Sequence, residues 1–375
     1  MHTVFRIRDI KQLDENSRLW QVDLTLTSDH DPELHVLTER IREETFPYNE
    51  GWERLGLILM RLGQSGKAEE VYEMMLEQVS KDSEKAGVYH QIGWTKQDKG
   101  DYKEAITFYE KSLEIRQKLL GPNHPGLTKS YNNIGLVYHS MGVYSQALSY
   151  HEKALEIRQK SLHPDDPELA SSYNNIGMVY ENMSDYSKAL SHYRKALEIR
   201  QKSLPSNHPE LASSYNNIGN TYGGMGENSK ELLYHEKALE IRQKILPPDH
   251  PDLAFSYNNI GSAYAEMGEY TKALSSFALA IEIRQKSLPP NHPDLALSYN
   301  SIGTVYEIMG NYPEALSFYE RAADIGQRSL PSNHPHLQLY IKNLENMRKA
   351  MIKIFYSSGI AGGGVWGDSG PSLIN

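Results

Sequence analysis

The chain has 375 residues, of which 39% are hydrophobic and 23% charged, with a formal net charge of −9 and no cysteine. That balance speaks against nucleic acid or an anionic membrane surface as the main partner. The lack of cysteine removes a disulfide framework, a thiolate nucleophile and a Cys-based zinc site, which suits a cytoplasmic location. No apolar run approaches the roughly 18 residues of a membrane span, and His2-Thr3-Val4-Phe5 after Met1 does not resemble a signal peptide.

Residues 1–46 stand apart from the rest of the chain. Trp20, Val22, Leu24 and Leu26 alternate with Gln21, Asp23, Thr25 and Thr27, the pattern of a half-buried strand. Phe5 and Ile7 predict another strand from about Thr3 to Ile7, with Asp14 to Ser17 as the turn. Two strands alone are marginal, so the segment reads as the end of a larger domain.

From residue 47 to 356 one pattern dominates. Tyr-Asn-Asn-Ile-Gly starts at Tyr131, Tyr173, Tyr215 and Tyr257, and Tyr-Asn-Ser-Ile-Gly at Tyr299, always 42 residues apart. Units of that size bury their apolar faces only by stacking on one another. In one unit Leu169, Tyr173, Ile176, Val179, Tyr180 and Met183 fall at helical spacing after an Asp166-Pro167 start. A second helix is expected from about Tyr186 to Leu204, with Glu198 and Lys202 paired on its outer face. Between the two helices stands Gly142, Ser184, Gly226, Gly268 or Gly310, where a left-handed residue ends the first helix. Gly135, Gly177, Gly219, Gly261 and Gly303 sit mid-helix, at a cost of about 1 kcal/mol against alanine, and predict a close approach of two backbones.

The unit from Tyr215 is expected to be weak. Gly223-Gly224 should end its first helix early, Glu231 replaces the alanine of Ala147, Ala189, Ala273 and Ala315, and Asn228 replaces an aromatic. Met141, Met183, Met225, Met267 and Met309 recur at an expected core position. A further helix, about Leu337 to Phe355, reads as a terminal cap, and Ser357 to Asn375 as a glycine-rich disordered tail.

The large aromatic, the Leu-Gly or Ile-Gly pair and the later Ala and aromatic resemble the tetratricopeptide pattern, with seven units beginning near Trp52, Tyr89, Tyr131, Tyr173, Tyr215, Tyr257 and Tyr299. The resemblance implies an all-α fold, a right-handed superhelix of antiparallel helix pairs with a short N-terminal β remnant. The 42-residue step, strings such as Asn207-His208-Pro209 and the run Ala154 to Lys160 are similar to kinesin light chain repeats. That subtype occurs in many scaffolds, and no heptad segment for a heavy chain precedes the repeats. Met1 to Ile7 resembles a strand near the end of arginine-specific mono-ADP-ribosyltransferase domains. The catalytic Glu-x-Glu and the NAD-binding core of that family are not in this sequence, so no such catalysis is expected.

No catalytic motif, cofactor or metal site is expected. His124, His208, His250, His292 and His334 recur before proline at whole-repeat spacing and read as loop caps, too far apart to share an ion. The candidate binding surface is the first-helix face that lines the groove in the tetratricopeptide family. It holds Asn132, Asn133, Asn174, Asn175, Asn216, Asn217, Asn258, Asn259 and Asn300, whose amides can both donate and accept. Lys129 and Arg54 would be its basic members, and Leu136, Met178, Glu181, Asn182, Asn220, Ser262, Glu266, Thr304, Glu307 and Ile308 share the face. The alternative is that the asparagines bond between repeats. The expected function is a monomeric, non-catalytic scaffold that grips an extended or helical peptide of a protein partner, with neither nucleic acid nor membrane involved. The alternatives are the targeting arm of a truncated ADP-ribosyltransferase and a cargo adaptor similar to kinesin light chain.

Overall fold

The computed structural model describes residues 4–12, 20–27 and 51–357. Strands β1 (Val4–Gln12) and β2 (Trp20–Thr27) pair antiparallel, with a register irregularity between Ile7 and Asp9. β1 extends past the predicted end at Ile7. The predicted turn at 14–17 and the tail at 358–375 lie outside the described residues.

Fifteen helices follow among the described residues: α1 (Gly51–Arg61), α2 (Ser65–Gln78), α3 (Asp82–Asp98), α4 (Tyr102–Leu120), α5 (Thr128–Ser140), α6 (Tyr144–Ser161), α7 (Pro167–Asn182), α8 (Tyr186–Ser203), α9 (Pro209–Gly224), α10 (Asn228–Ile245), α11 (Pro251–Glu266), α12 (Tyr270–Ser287), α13 (Pro293–Ile308), α14 (Tyr312–Ser329) and α15 (Pro335–Ser357). The fold is all-α. The chain divides into two compact units, Met1–Val179 and Tyr180–Asn375. In the first, Ala105, Tyr109, Leu127, Tyr131, Ile134 and Ala154 are part of a buried cluster of α4, α5 and α6. In the second, Ala273, Phe277, Leu295, Tyr299, Ile302 and Tyr340 do the same for α12, α13 and α15.

Local chemistry sets the boundaries. Ring Nδ1 of His208, His250 and His292 accepts the N–H two residues on, just past a proline in the first turn, so these histidines are caps. Asp166 does this work for α7, accepting from Glu168 N–H at 2.8 Å. Gly142, Gly226, Gly268 and Gly310 end first helices with φ of 71–76°, and Ser184 is held at 60° in the same role. Four of the five methionines beside these residues are not core: Met183, Met225, Met267 and Met309 are exposed, because they sit at or past the helix end, whereas Met141 is half-buried and packs on the cluster of α4, α5 and α6. Gly223 and Gly224 do not shorten α9, which runs the same 16 residues as α7, α11 and α13.

The mid-helix glycines make room for a ring, and the expected backbone-to-backbone approach is corrected accordingly. A β-carbon at Gly56 would lie 2.3 Å from Tyr72, at Gly93 2.8 Å from Tyr109, and at Gly135 2.7 Å from the His151 ring. In the second unit Gly219, Gly261 and Gly303 stand against His235, Phe277 and Tyr319 in the same way. Gly303→Ala therefore sets two effects against each other. Alanine adds about 1 kcal/mol of helix propensity. Tyr319 cannot retreat, being buried with its hydroxyl bonded to Glu307 at 2.6 Å and Thr304 at 3.2 Å. Overpacking costs about 1–3 kcal/mol, so we expect a net loss of about 1 kcal/mol in urea unfolding; a gain would mean the ring is free to move.

Candidate functional site

The repeated polar residues are spent on holding neighbouring repeats together. In the first unit Arg116 Nη1 donates to Ser130 Oγ at 2.8 Å, and Arg158 Nη1 to Ser172 Oγ at 2.6 Å. In the second, Arg200 donates to Ser214 at 2.7 Å, Arg242 to Ser256 at 2.6 Å, and Arg284 to Ser298. The next residue repeats the theme: Gln117, Gln159, Gln201, Gln243 and Gln285 donate to the hydroxyls of Tyr131, Tyr173, Tyr215, Tyr257 and Tyr299 at 2.8–3.0 Å. The Ile-Arg-Gln string of each second helix is thus a clasp on the first helix of the following repeat. At the last interface glycine replaces the arginine, and the Tyr340 ring of α15 comes within 3.0 Å of where a Gly326 β-carbon would be.

The asparagine pairs work in the same direction. Asn259 Nδ2 donates to Asn216 Oδ1 at 2.9 Å, and Asn343 Nδ2 to Asn300 Oδ1 at 3.0 Å. Asn258 Oδ1 accepts from Ser298 Oγ at 3.2 Å. In the first unit histidine stands in for one asparagine: Asn133 Nδ2 lies 3.2 Å from His90 Nε2. Asn132 Oδ1 is 3.2 Å from His151 Nδ1. Asn132, Asn216, Asn258 and Asn300 are buried, whereas Asn133, Asn174, Asn175, Asn217 and Asn259 are half-buried. Burial drives the His90 ring down to about 3 and His151 to about 4, with nearby Arg116 and His139 adding to the effect in turn. Of the basic candidates, Lys129 is exposed at the start of α5, and Arg54 is buried in α1 and engaged there.

Lys96 stands where later repeats carry Tyr138, Tyr180, Tyr222, Tyr264 and Tyr306, and it has an internal reason. Its ammonium bonds Glu69 at 2.6 Å and Glu104 at 2.5 Å. Burial alone would raise the Glu69 carboxyl, but Lys96 and Lys99 hold it below the usual range.

Acidic candidates in the second unit divide in two. Glu181 accepts from Tyr193 Oη at 2.7 Å and Glu307 from Tyr319 Oη at 2.6 Å, and burial raises the Glu181 carboxyl. In the repeat from Tyr215 that position is Gly223, and the carboxylate comes instead from Glu231 on α10. A β-carbon at Gly223 would fall 2.8 Å from the Glu231 carboxyl carbon. Glu231 is 7% exposed, its Oε1 is 3.7 Å from His235 Nε2, and its Oε2 has no hydrogen-bond partner. Among the described residues no group of three His, Asp or Glu side chains could hold a metal ion.

What is left for recognition is the part that varies. Two residues before the unit aromatic stand Lys129, Ser171, Ser213, Phe255 and Leu297; five after it, Leu136, Met178, Asn220, Ser262 and Thr304; nine after it, Ser140, Asn182, Gly224, Glu266 and Ile308. Helical spacing puts the three positions on one face, and all fifteen residues are exposed or half-buried. The repeat pattern could have separated these from the clasp residues, since the Arg-Gln clasp recurs unchanged at five successive interfaces.

Helix couples joined by recurring clasps, with a variable exposed face, define a helical repeat protein. The tetratricopeptide repeat family matches residues 84–160, 168–244, 232–286 and 252–328, more than half of the chain, and the chain belongs to that family. No curated protein matches it. Among solved structures it is similar to BtubC (BKLC) from P. vanneervenii, at 24% identity over 64% of this chain and 92% of that one, with a TM-score of 0.52. The apo form of RapI is 19% identical over 74% of this chain and 96% of its own, with a TM-score of 0.55. At these identities the likeness is one of fold. The matched residues leave out 1–46, where the ADP-ribosyltransferase resemblance lies.

Proposed function

We propose that the chain is a non-catalytic scaffold that binds a segment of a protein partner along the exposed face of its first helices. One observation carries this: most of the residues that join neighbouring repeats recur, whereas the exposed face of each first helix changes in character from repeat to repeat. Tetratricopeptide arrays offer such surfaces to partner proteins. The asparagines contribute through what the inter-repeat bonds leave over, because an amide such as that of Asn259 keeps a second N–H for a partner carbonyl. A kinesin-light-chain-like preference for acidic peptides has one exposed basic residue, Lys129, in its favour.

The test is a chain carrying Lys129→Glu and Ile308→Glu together, compared by titration calorimetry with the parent on a partner recovered by affinity purification. Affinity is expected to fall at least about tenfold, with stability changed by less than about 0.5 kcal/mol, as for surface substitutions. Glu198→Lys, on the outer face of α8, is the control. An equal loss with that control, or no loss with the double variant, would remove the assigned face. Replacing the asparagines does not make this distinction, since Asn259→Ala also removes an inter-repeat bond contributing about 1 kcal/mol.

A further inference from the structure

Within the exposed face of the second unit, one register position turns apolar. It is serine at Ser213 on α9, then Phe255, Leu297 and Leu339 on α11, α13 and α15, each 42 residues after the last. Phe255 is 43% and Leu339 44% exposed, and Leu297 is half-buried. A single exposed apolar side chain needs no explanation, but three at one position of three successive first helices do. Asn259 bonds Asn216 and Asn343 bonds Asn300, so successive first helices lie side by side. With axes about 8–10 Å apart, they set the three side chains in a row, one per repeat.

An acidic border runs beside this row. Three residues before it, on the same helix face, stand Glu210, Asp252 and Asp294. Glu210 is neutralised inside the array, where Arg200 Nε donates to it at 3.0 Å. Asp252 and Asp294 are one methylene shorter. Arg242 and Arg284 feel their charge, but the closest ionic contact of each is the ring Nδ1 of His250 or His292, 4.0 Å away. That nitrogen already accepts the aspartate's own N–H, so it carries no proton to offer. The helix start favours a carboxylate without neutralising it. Both side chains are at least half exposed. The Arg242 guanidinium lies 5.8 Å from the Phe255 ring, which ties ring and carboxylate to one patch. On α15 His336 takes the acidic place and exposed Lys342 follows Leu339 by a turn, so the border ends at α13. Such a surface takes a segment with one apolar and one basic side chain per repeat. Polyproline II is the shortest that does so, since every third residue returns to the same side after about 9 Å. A strand repeats after about 7 Å and falls out of step. A lysine stem spans the roughly 4.5 Å of helix rise between Phe255 and Asp252.

We infer that Phe255, Leu297 and Leu339, bordered by Asp252 and Asp294, take an extended, basic partner segment with an apolar residue at every third position. The inference rests on the scaffold reading for the partner, but the row is tested without one. The probe is the peptide acetyl-(Lys-Leu-Pro)3-amide, titrated into the full chain while the amide resonances of Phe255, Leu297 and Leu339 are followed by NMR. Saturable shifts are expected, at least about fivefold weaker with glutamate in place of the lysines and absent with serine in place of the leucines. Phe255→Ser with Leu297→Ser, the residue other repeats use there, should weaken binding at least about tenfold with helix content unchanged by circular dichroism. Asp252→Asn with Asp294→Asn, which leaves the apolar row in place, should weaken it at least about threefold and flatten its salt dependence. No saturable shift, equal binding of the glutamate peptide, or full binding by either double variant would overturn the inference. A parent that sediments as a dimer and a Phe255→Ser, Leu297→Ser variant that sediments as a monomer would give the row to a second copy instead. A Trp366 indole resonance that shifts as the probe binds would give it to the chain's own C-terminal segment. If the probe fails while Lys129→Glu with Ile308→Glu still weakens the recovered partner, the row falls and the scaffold face stands. If the probe binds and that variant leaves the partner untouched, the face falls and the row stands.

Discussion

Lowering the pH from 7 to 5 is expected to destabilise the first unit by about 4 kcal/mol, about 2 kcal/mol for each of two buried histidines. His90 is 5% exposed and His151 fully buried, and their folded-state values are about 3 and about 4 against an ordinary 6.5. The unfolded chain therefore takes up a proton at each site first. Stability is complete above pH 6.5 and falls with pH at about 1.4 kcal/mol per unit per histidine. The fall ends near pH 4 for His151 and near pH 3 for His90. The geometry explains why the neutral rings are held. His151 Nδ1 donates to Asn132 Oδ1 and fills the space over Gly135, and His90 Nε2 accepts from Asn133. A second proton would land on His151 Nε2, which has no partner, or on His90 Nε2, where it would face the Asn133 N–H. The repeats supply their own replacements: Phe277 stands at the position of His151, and Asn132 at that of His90. The double variant His90→Asn, His151→Phe should lose most of the pH dependence. Urea midpoints at pH 7 and 5, or hydrogen exchange across α3 to α6, measure it. Parallel pH curves for parent and variant would show that the two rings titrate freely.

The repeat length, the helix couples, the capping histidines and the left-handed residue between helices could all be read from the sequence, because each depends on neighbours a few residues away. The clasps could not. Arg158 and Gln159 meet their partners fourteen residues later across a loop, so a pattern shows that the string repeats without showing what it holds. The glycines failed for a similar reason. Periodicity marks Gly135 as a close contact but not whether a backbone or the His151 ring fills it. The asparagine pairs were the hardest, since an amide serves a neighbouring repeat or a partner equally well. Asn259 reaching Asn216 requires knowing that consecutive first helices lie side by side in register. Gly223-Gly224 misled because glycine propensity was set against nothing. In the structure the Glu231 carboxyl occupies the space that Gly223 leaves, so the two substitutions belong together.

That pairing leads to the second large effect. The triple variant Gly223→Glu, Glu231→Ala, His235→Tyr should stabilise the second unit by about 2–3 kcal/mol. It copies onto α9 and α10 the arrangement of Glu181, Ala189 and Tyr193, where the hydroxyl donates to the carboxylate at 2.7 Å. Three contributions have the same sign. A helix-interior glycine becomes a better helix former. A buried carboxylate oxygen without a partner disappears, and a tyrosine–glutamate bond replaces a 3.7 Å contact with no hydrogen bond. The single change Glu231→Ala should gain less, because it removes the carboxyl and leaves the space over Gly223 unfilled. Urea midpoints of the parent, the single and the triple variant separate these contributions, and hydrogen exchange localises them to α9 and α10. A triple variant no more stable than the parent would mean that Glu231 already contributes as much where it is as a glutamate on α9 would.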